Sequence, residues 1–248
     1  MSKLGSDSRG APILEVTGCD AWYGPMQVLW RVDLVVAAGE GLGVIGRNGA
    51  GKTTLLRTIA AVHRQRAGHF KLRAQDVSSL DAASVAKRGL SIVRENAPVF
   101  GNMSVEENLK LAAMLAQRRS REPLSHADIF EIFPVLEELL RRPAALLSGG
   151  QRQMLALGVA LASRPDVLLL DEPSAGLAPE TAASAFRAIR RLRETGAALV
   201  IAEQNVDWLV GVASSAVRLE AGRMDTTLLG IDELDTEEVL DPFESPRG

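Results

Sequence analysis

The octapeptide Gly46-Arg47-Asn48-Gly49-Ala50-Gly51-Lys52-Thr53 constrains this chain more than any other feature, because it fits the spacing G-x-x-x-x-G-K-[ST]. It follows a small apolar run, Gly41 to Ile45, that reads as a strand. It precedes Lys52 to Val62, where Leu55, Leu56 and Ile59 recur at helical spacing. Strand, glycine loop and helix in that order bring backbone N–H groups together around an anion at a helix N-terminus. The Lys52 ammonium then reaches the β- and γ-phosphates of a nucleoside triphosphate, and the Thr53 hydroxyl reaches Mg2+. The loop residues Gly46, Arg47, Asn48, Gly49, Ala50 and Gly51, together with Lys52, Thr53 and Thr54, are the first expected nucleotide contacts.

A second motif lies downstream. Val167-Leu168-Leu169-Leu170 reads as a fully buried strand that ends in two carboxylates, Asp171 and Glu172. Ligands gather at the C-terminal ends of parallel strands. Asp171 is expected to hold Mg2+, and Glu172 to orient and deprotonate a water attacking the γ-phosphate. Kinases, GTPases and many ATPases share such a pair of motifs.

Leu147-Ser148-Gly149-Gly150-Gln151 narrows the choice, since it opens a helix of about Gly150 to Ser163 just upstream of the carboxylates. Ser148 and the amides of Gly149 and Gly150 form a second anion-binding helix N-terminus. One nucleotide needs only one such cradle on its phosphates. With these motifs in this order, the chain resembles the ABC ATPase family over about Ile13 to Met224. The resemblance implies an α/β fold: a P-loop NTPase core with a mostly parallel sheet, an antiparallel β edge and a helical insert. It also implies a head-to-tail pair of cassettes in which Ser148, Gly149, Gly150 and Gln151 serve the ATP held by the opposite subunit.

Weaker positions follow from the same resemblance. Tyr23 stands where the family places an aromatic ring against adenine, and Glu95 where most members carry a glutamine near the Mg2+ and the helical insert. Ala178, in Ser174-Ala175-Gly176-Leu177-Ala178-Pro179, replaces a common aspartate, and Gln204 takes the place of a switch histidine. These departures, with the stretch Phe100 to Leu109, are similar to the ATPases of branched-chain amino-acid importers. The resemblance therefore implies Lys52, Glu172 and Gln204 as the catalytic set, with Gln204 donating an amide N–H to the γ-phosphate. Thr53, Asp171 and Glu95 are implied around Mg2+. It implies ATP and Mg2+ as ligands, and as partners a second cassette of different or identical sequence, membrane permease subunits and, indirectly, a periplasmic or lipoprotein solute-binding protein. The expected function is hydrolysis of ATP to energise import of branched-chain amino acids or a similar small polar solute. The alternatives are a cassette for urea or another solute, or a soluble ABC ATPase outside transport.

The rest of the chain supplies organisation. Ile13 to Val36 reads as short strands broken by Gly24-Pro25, and the pattern from Leu90 to Arg164 becomes helical. Ser104-Val105-Glu106-Glu107 is a capping box for a helix running to about Gln117, and a second helical segment spans Ile129 to Leu140. Between them, Arg118, Arg119 and Arg121 lie in a polar stretch that is either a solvated loop or a contact with another protein. Beyond Val167, apolar runs alternate with a helix over Pro179 to Thr195, as in parallel βαβ units. These features predict a flexible tail over 1–12, one ABC ATPase domain over 13–248, a helical subdomain over about 95–145 and an acidic tail over about 231–248.

Charge and composition exclude some classes. A formal net charge of −3 and an aromatic content of 4 %, with Tyr23 the only tyrosine, do not suit nucleic-acid binding. Cys19 has no disulfide partner, and His63, His69 and His126 show no metal-ligand spacing. Residues 1–12 lack the apolar core of a secretory signal, and no apolar run approaches the roughly 18 residues of a membrane span. The chain is expected at the cytoplasmic face of the membrane, held there by its partners. Lys52 and Asp171 are too close in sequence to admit the long coiled coil of a chromosome-type ATPase, and a scaffold that held ATP without turnover would lack Glu172.

Overall fold

Val167, Leu168, Leu169 and Leu170 are all fully buried. Successive side chains of a pleated strand face opposite sides, so this strand requires a protein layer on each face. The computed structural model, which describes residues 11–94, 99–225 and 229–230, supplies both layers.

The chain opens with two long antiparallel strands, β1 (Pro12–Tyr23) and β2 (Met26–Ala37). After β3 (Gly41–Ile45) and α1 (Lys52–Ile59) come β4 (Arg66–Leu72), β5 (Gln75–Asp76), α2 (Ala82–Lys87) and β6 (Leu90–Val93). Three helices follow, α3 (Val105–Arg118), α4 (His126–Ile132) and α5 (Val135–Glu138), and then α6 (Gly149–Ala162). The described chain closes with β7 (Val167–Asp171), α7 (Pro179–Glu194), β8 (Ala198–Glu203), β9 (Ser215–Glu220), β10 (Arg223–Met224) and β11 (Leu229–Gly230). One sheet is antiparallel in the order β2-β1-β4-β5. The other runs β10-β9-β3-β8-β7-β6, with parallel pairing from β9 through β6.

Period-2 alternation divides the core. Leu168 and Leu170 of β7, with Leu199 and Ile201 of β8, face α6 and α7. Val167, Leu169, Val200 and Ala202 face the opposite way, onto Leu55 and Leu56 of α1 and the inner residues of the antiparallel sheet, such as Val16 and Leu29. Helix α1 is thus sandwiched between two sheets, and each fully buried leucine contributes roughly 1.5–3 kcal/mol. Packing from both sides holds the glycine loop at its N-terminus in place.

Several sequence expectations change. Leu90–Val93 is a parallel edge strand, not part of a helical stretch, because it completes the sheet beside β7. Strands β1 and β2 are twelve residues each rather than short, and Pro12 already belongs to β1. Register shifts flanking Gly18, at φ 61°, interrupt the alternation that would have revealed β1's length. The segment Ile129 to Leu140 divides at Phe133, which precedes Pro134 and sits at φ −131°, ψ 74°, outside the helical region. Helix α1 ends at Ile59, with Ala61 left-handed at φ 57°. The Ser104 capping box is present: the Ser104 hydroxyl accepts from Glu107 N and the Glu107 carboxylate from Ser104 N.

Two of the three arginines in the polar stretch bond within the chain. Arg121 pairs with Asp166 at 2.6 Å, and Arg119 donates to the Ser163 carbonyl at the end of α6. Among the described residues no helix is long and apolar enough to cross a membrane. Glu95 and the acidic segment 231–248 lie outside the described residues, as do residues 1–10 of the expected N-terminal tail.

Candidate nucleotide-binding and hydrolytic site

Strand β3, the loop 46–51 and α1 form a cradle that depends on two glycines. A Cβ on Gly46 would lie 2.3 Å from the Leu219 carbonyl oxygen, and Gly51 caps α1 at φ 108°, a conformation that costs an L-residue with a side chain dearly. Gly51 offers no side-chain cap, so the first-turn N–H groups of α1 face the loop. Lys52 is buried, and its Nζ donates to the carbonyls of Gly46 at 2.7 Å and Arg47 at 3.3 Å. Those bonds aim the ammonium back over the loop, in a cavity of about 390 Å3 lined by Val28, Asn48, Gly49, Lys52, Thr53 and Glu172.

Two carboxylates arrive from the end of β7. The Thr53 hydroxyl donates to Asp171 Oδ1 at 3.0 Å, which sets a hard oxygen pair at the mouth of the loop. Glu172 Oε1 stands 3.7 Å from Lys52 Nζ and accepts from Gln204 Nε2 at 2.9 Å. The same Gln204 nitrogen donates to Asn48 Oδ1 at 2.6 Å. Gln204 therefore bridges the glycine loop and Glu172 from the end of β8. Glu172 has φ 46°, a left-handed conformation unusual for a non-glycine residue, and its N–H donates to Ala202 O at 2.9 Å.

The fold brings Lys52, Thr53, Asp171, Glu172, Gln204 and Asn48 together with the rest of the glycine loop, and holds Ser148, Gly150 and Gln151 at another cavity. Ser148 caps α6 with a reciprocal box: its hydroxyl accepts from Gln151 N, and Gln151 Oε1 accepts from Ser148 N at 2.9 Å. The cavity beside Ser148, about 460 Å3, shares no lining residue with the one over Lys52. Within one chain the two helix N-termini therefore open onto separate cavities. Tyr23, at the end of β1, is 42 % exposed, and its ring packs 4.5 Å from that of His63.

Two buried polar residues close to this site carried no sequence prediction. Gln153, one turn into α6, donates to Pro173 O at 3.4 Å, and Glu203 at the end of β8 accepts from Ser174 N at 3.2 Å. Burial, reinforced by the nearby Glu172 charge, pushes the Glu203 carboxyl above the usual carboxylate range, although the hydrogen bonds from Ser174 oppose the shift. The available signal was a lone carboxylate closing the apolar run Ala198 to Ala202. Cys19 lies in the other sheet's core, where burial and the Asp20 charge push its thiol up to about 12, so it stays protonated and inert.

Gln204 gives a prediction with a clear sign. Removing its amide leaves Glu172 without that hydrogen bond, and such bonds to charged groups contribute about 1.5–3 kcal/mol. Gln204→Ala should lower ATP hydrolysis about tenfold and ATP affinity much less, while Gln204→His should retain turnover. Paired binding and turnover assays in the assembled complex would show this. Wild-type behaviour of both variants would remove Gln204 from the site.

Comparison with known proteins gives one family. Residues 29–175 match the family model described as ABC transporter. The chain is 35 % identical over 222 residues to the high-affinity branched-chain amino acid transport ATP-binding protein BraG of Pseudomonas aeruginosa, covering 90 % of this chain and 95 % of that one. It is 34 % identical over 213 residues to the probable branched-chain amino acid transport ATP-binding protein LivF of Archaeoglobus fulgidus, covering 86 % and 90 %. Among solved structures, the ADP conformation of MJ1267, an ATP-binding cassette of an ABC transporter, aligns with a TM-score of 0.72 at 26 % identity over 93 % of this chain and 95 % of that one.

Proposed function

The chain belongs to the ABC transporter family as an ATP-binding cassette, and from that premise we propose that it hydrolyses ATP to energise import of branched-chain amino acids. The observation that carries the hydrolytic part is the position of Glu172, 3.7 Å from Lys52 Nζ and 2.9 Å from Gln204 Nε2, beside an Asp171 that accepts from Thr53. The substrate class is supported by the names of BraG and LivF and by the resemblance of the sequence at Glu95, Ala178 and Gln204 to the branched-chain amino-acid importer ATPases.

In this reading Lys52 and the amides of the loop and first turn of α1 bind the β- and γ-phosphates, and Tyr23 faces the adenine. Thr53 Oγ1 and Asp171 are oxygen donors suited to Mg2+, and the ion would neutralise charge developing on the phosphates; a part for Glu95 there rests on the family resemblance alone. Glu172 takes the proton of the attacking water; Gln204 fixes the Glu172 carboxylate with one amide N–H and turns the other, which in this structure donates to Asn48 Oδ1, toward the γ-phosphate. Ser148, Gly149, Gly150 and Gln151 meet the nucleotide of a facing cassette, through the helix N-terminus of α6. Residues 13–248 act as one ABC ATPase domain whose helical part, about 95–145, is placed to meet the permease. The complex works at the cytoplasmic face of the membrane with a solute-binding protein outside.

Transport in proteoliposomes tests this. Reconstituted with permease subunits, a second cassette and a solute-binding protein, the chain should let leucine, isoleucine and valine accumulate only when ATP is on the cassette side. ATP-driven uptake of urea or another solute, with none of those three, would overturn the substrate assignment while leaving the ATPase intact.

A further inference from the structure

The left-handed backbone at Glu172 needs support, and more so because Pro173 follows: a residue before proline is ordinarily extended. Such a conformation persists only where the surroundings over-determine it. Three bonds do so. Glu172 N donates to Ala202 O at 2.9 Å, Gln153 Nε2 donates to Pro173 O at 3.4 Å, and Ser174 N donates to Glu203 Oε1 at 3.2 Å. Gln153 is 4 % exposed and Glu203 3 %, so neither bond competes with bulk water.

The two side chains come from different working parts. Gln153 lies on α6, the helix that Ser148 caps, and Glu203 immediately precedes Gln204. The start of α6 also rests directly on the loop after Glu172: a Cβ on Gly150 would approach the Gly176 carbonyl oxygen to 2.9 Å. A shift of α6 toward a ligand at Ser148 therefore bears on Pro173, and a shift of Gln204 bears on Ser174.

We propose that Gln153 and Glu203 are positioning residues that grip the turn Glu172-Pro173-Ser174 from the Ser148 helix and from the Gln204 strand. Through them the setting of Glu172 in one site depends on what the same chain's Ser148 holds in the other. The proposal rests on the reading of Glu172 as the base and of Ser148 as the contact to a facing nucleotide.

Four variants in the complete transporter test it. Gln153→Met keeps the shape but removes the donor, and Glu203→Met removes the acceptor. Each should lower kcat for ATP about tenfold, with KM for ATP changed less than twofold. Glu203→Gln, which retains an oxygen acceptor for Ser174 N, should stay within about threefold of wild type. Hydrogen exchange of the Ser174 amide should quicken in Glu203→Met and not in Glu203→Gln. Overturning results are a kcat within twofold of wild type in both methionine variants, or equal losses in Glu203→Met and Glu203→Gln. The fourth variant, Glu172→Gln, separates the two readings: if it keeps turnover, Glu172 is not the base, while the Ser174 exchange rates still report whether the grip exists.

Discussion

Lys52→Ala should raise the dissociation constant of this chain for ATP about a hundredfold, which corresponds to roughly 2.8 kcal/mol. The size follows from geometry. Lys52 is 5 % exposed, and its ammonium is tied to Gly46 O and Arg47 O, so it is held ready over the loop with little freedom left to lose. Charge-assisted bonds from a lysine to phosphate oxygens are about twice as strong as neutral ones, and burial weakens the competition from water. Alanine also removes the cation nearest to Glu172, at 3.7 Å, so the carboxylate would face the phosphates with less compensation. Titration of the isolated chain with a fluorescent ATP analogue measures the effect. An affinity within threefold of wild type would show that the backbone amides alone hold the phosphates.

Glu172→Gln should leave ATP binding within about twofold and stop turnover at this chain's site by about a hundredfold or more, the usual share of a general base. The amide oxygen can still accept from Gln204 Nε2, so the local bridge survives while the proton acceptor is lost. Hydrolysis by a second cassette would mask the loss, so the comparison belongs in a background where that cassette's equivalent carboxylate has already been replaced. Turnover within a factor of two would require another base, and the buried Glu203 would be the nearest candidate to examine.

Much of this site is legible before any coordinates. The octapeptide 46–53 carries its own context, since Gly41–Ile45 and the helix from Lys52 flank it as strand and helix in the structure. Val167–Asp171 likewise is a buried strand, because an uninterrupted run of apolar residues bounded by turns suits a sheet covered on both faces. What stays hidden depends on tertiary contact. Leu90–Val93 is only four residues long, too short for periodicity to separate a buried strand from a helix. In β1, the bulge around Gly18 masks the alternation. Gln153 and Glu203 belong to no motif of their own in the sequence, and only folding brings both to one turn. Pro134 is the exception, since a proline within an otherwise helical pattern marks the break at Phe133 in the sequence itself.

The proposed function requires coupling between this chain's hydrolysis and a membrane partner. Phosphate release from ATP and Mg2+ by the complete transporter in nanodiscs, with and without leucine-loaded binding protein, measures it. Loaded binding protein should raise release severalfold, and Glu172→Gln should abolish the rise. A release rate indifferent to the binding protein, and equal for wild type and Glu172→Gln, would contradict the proposed function.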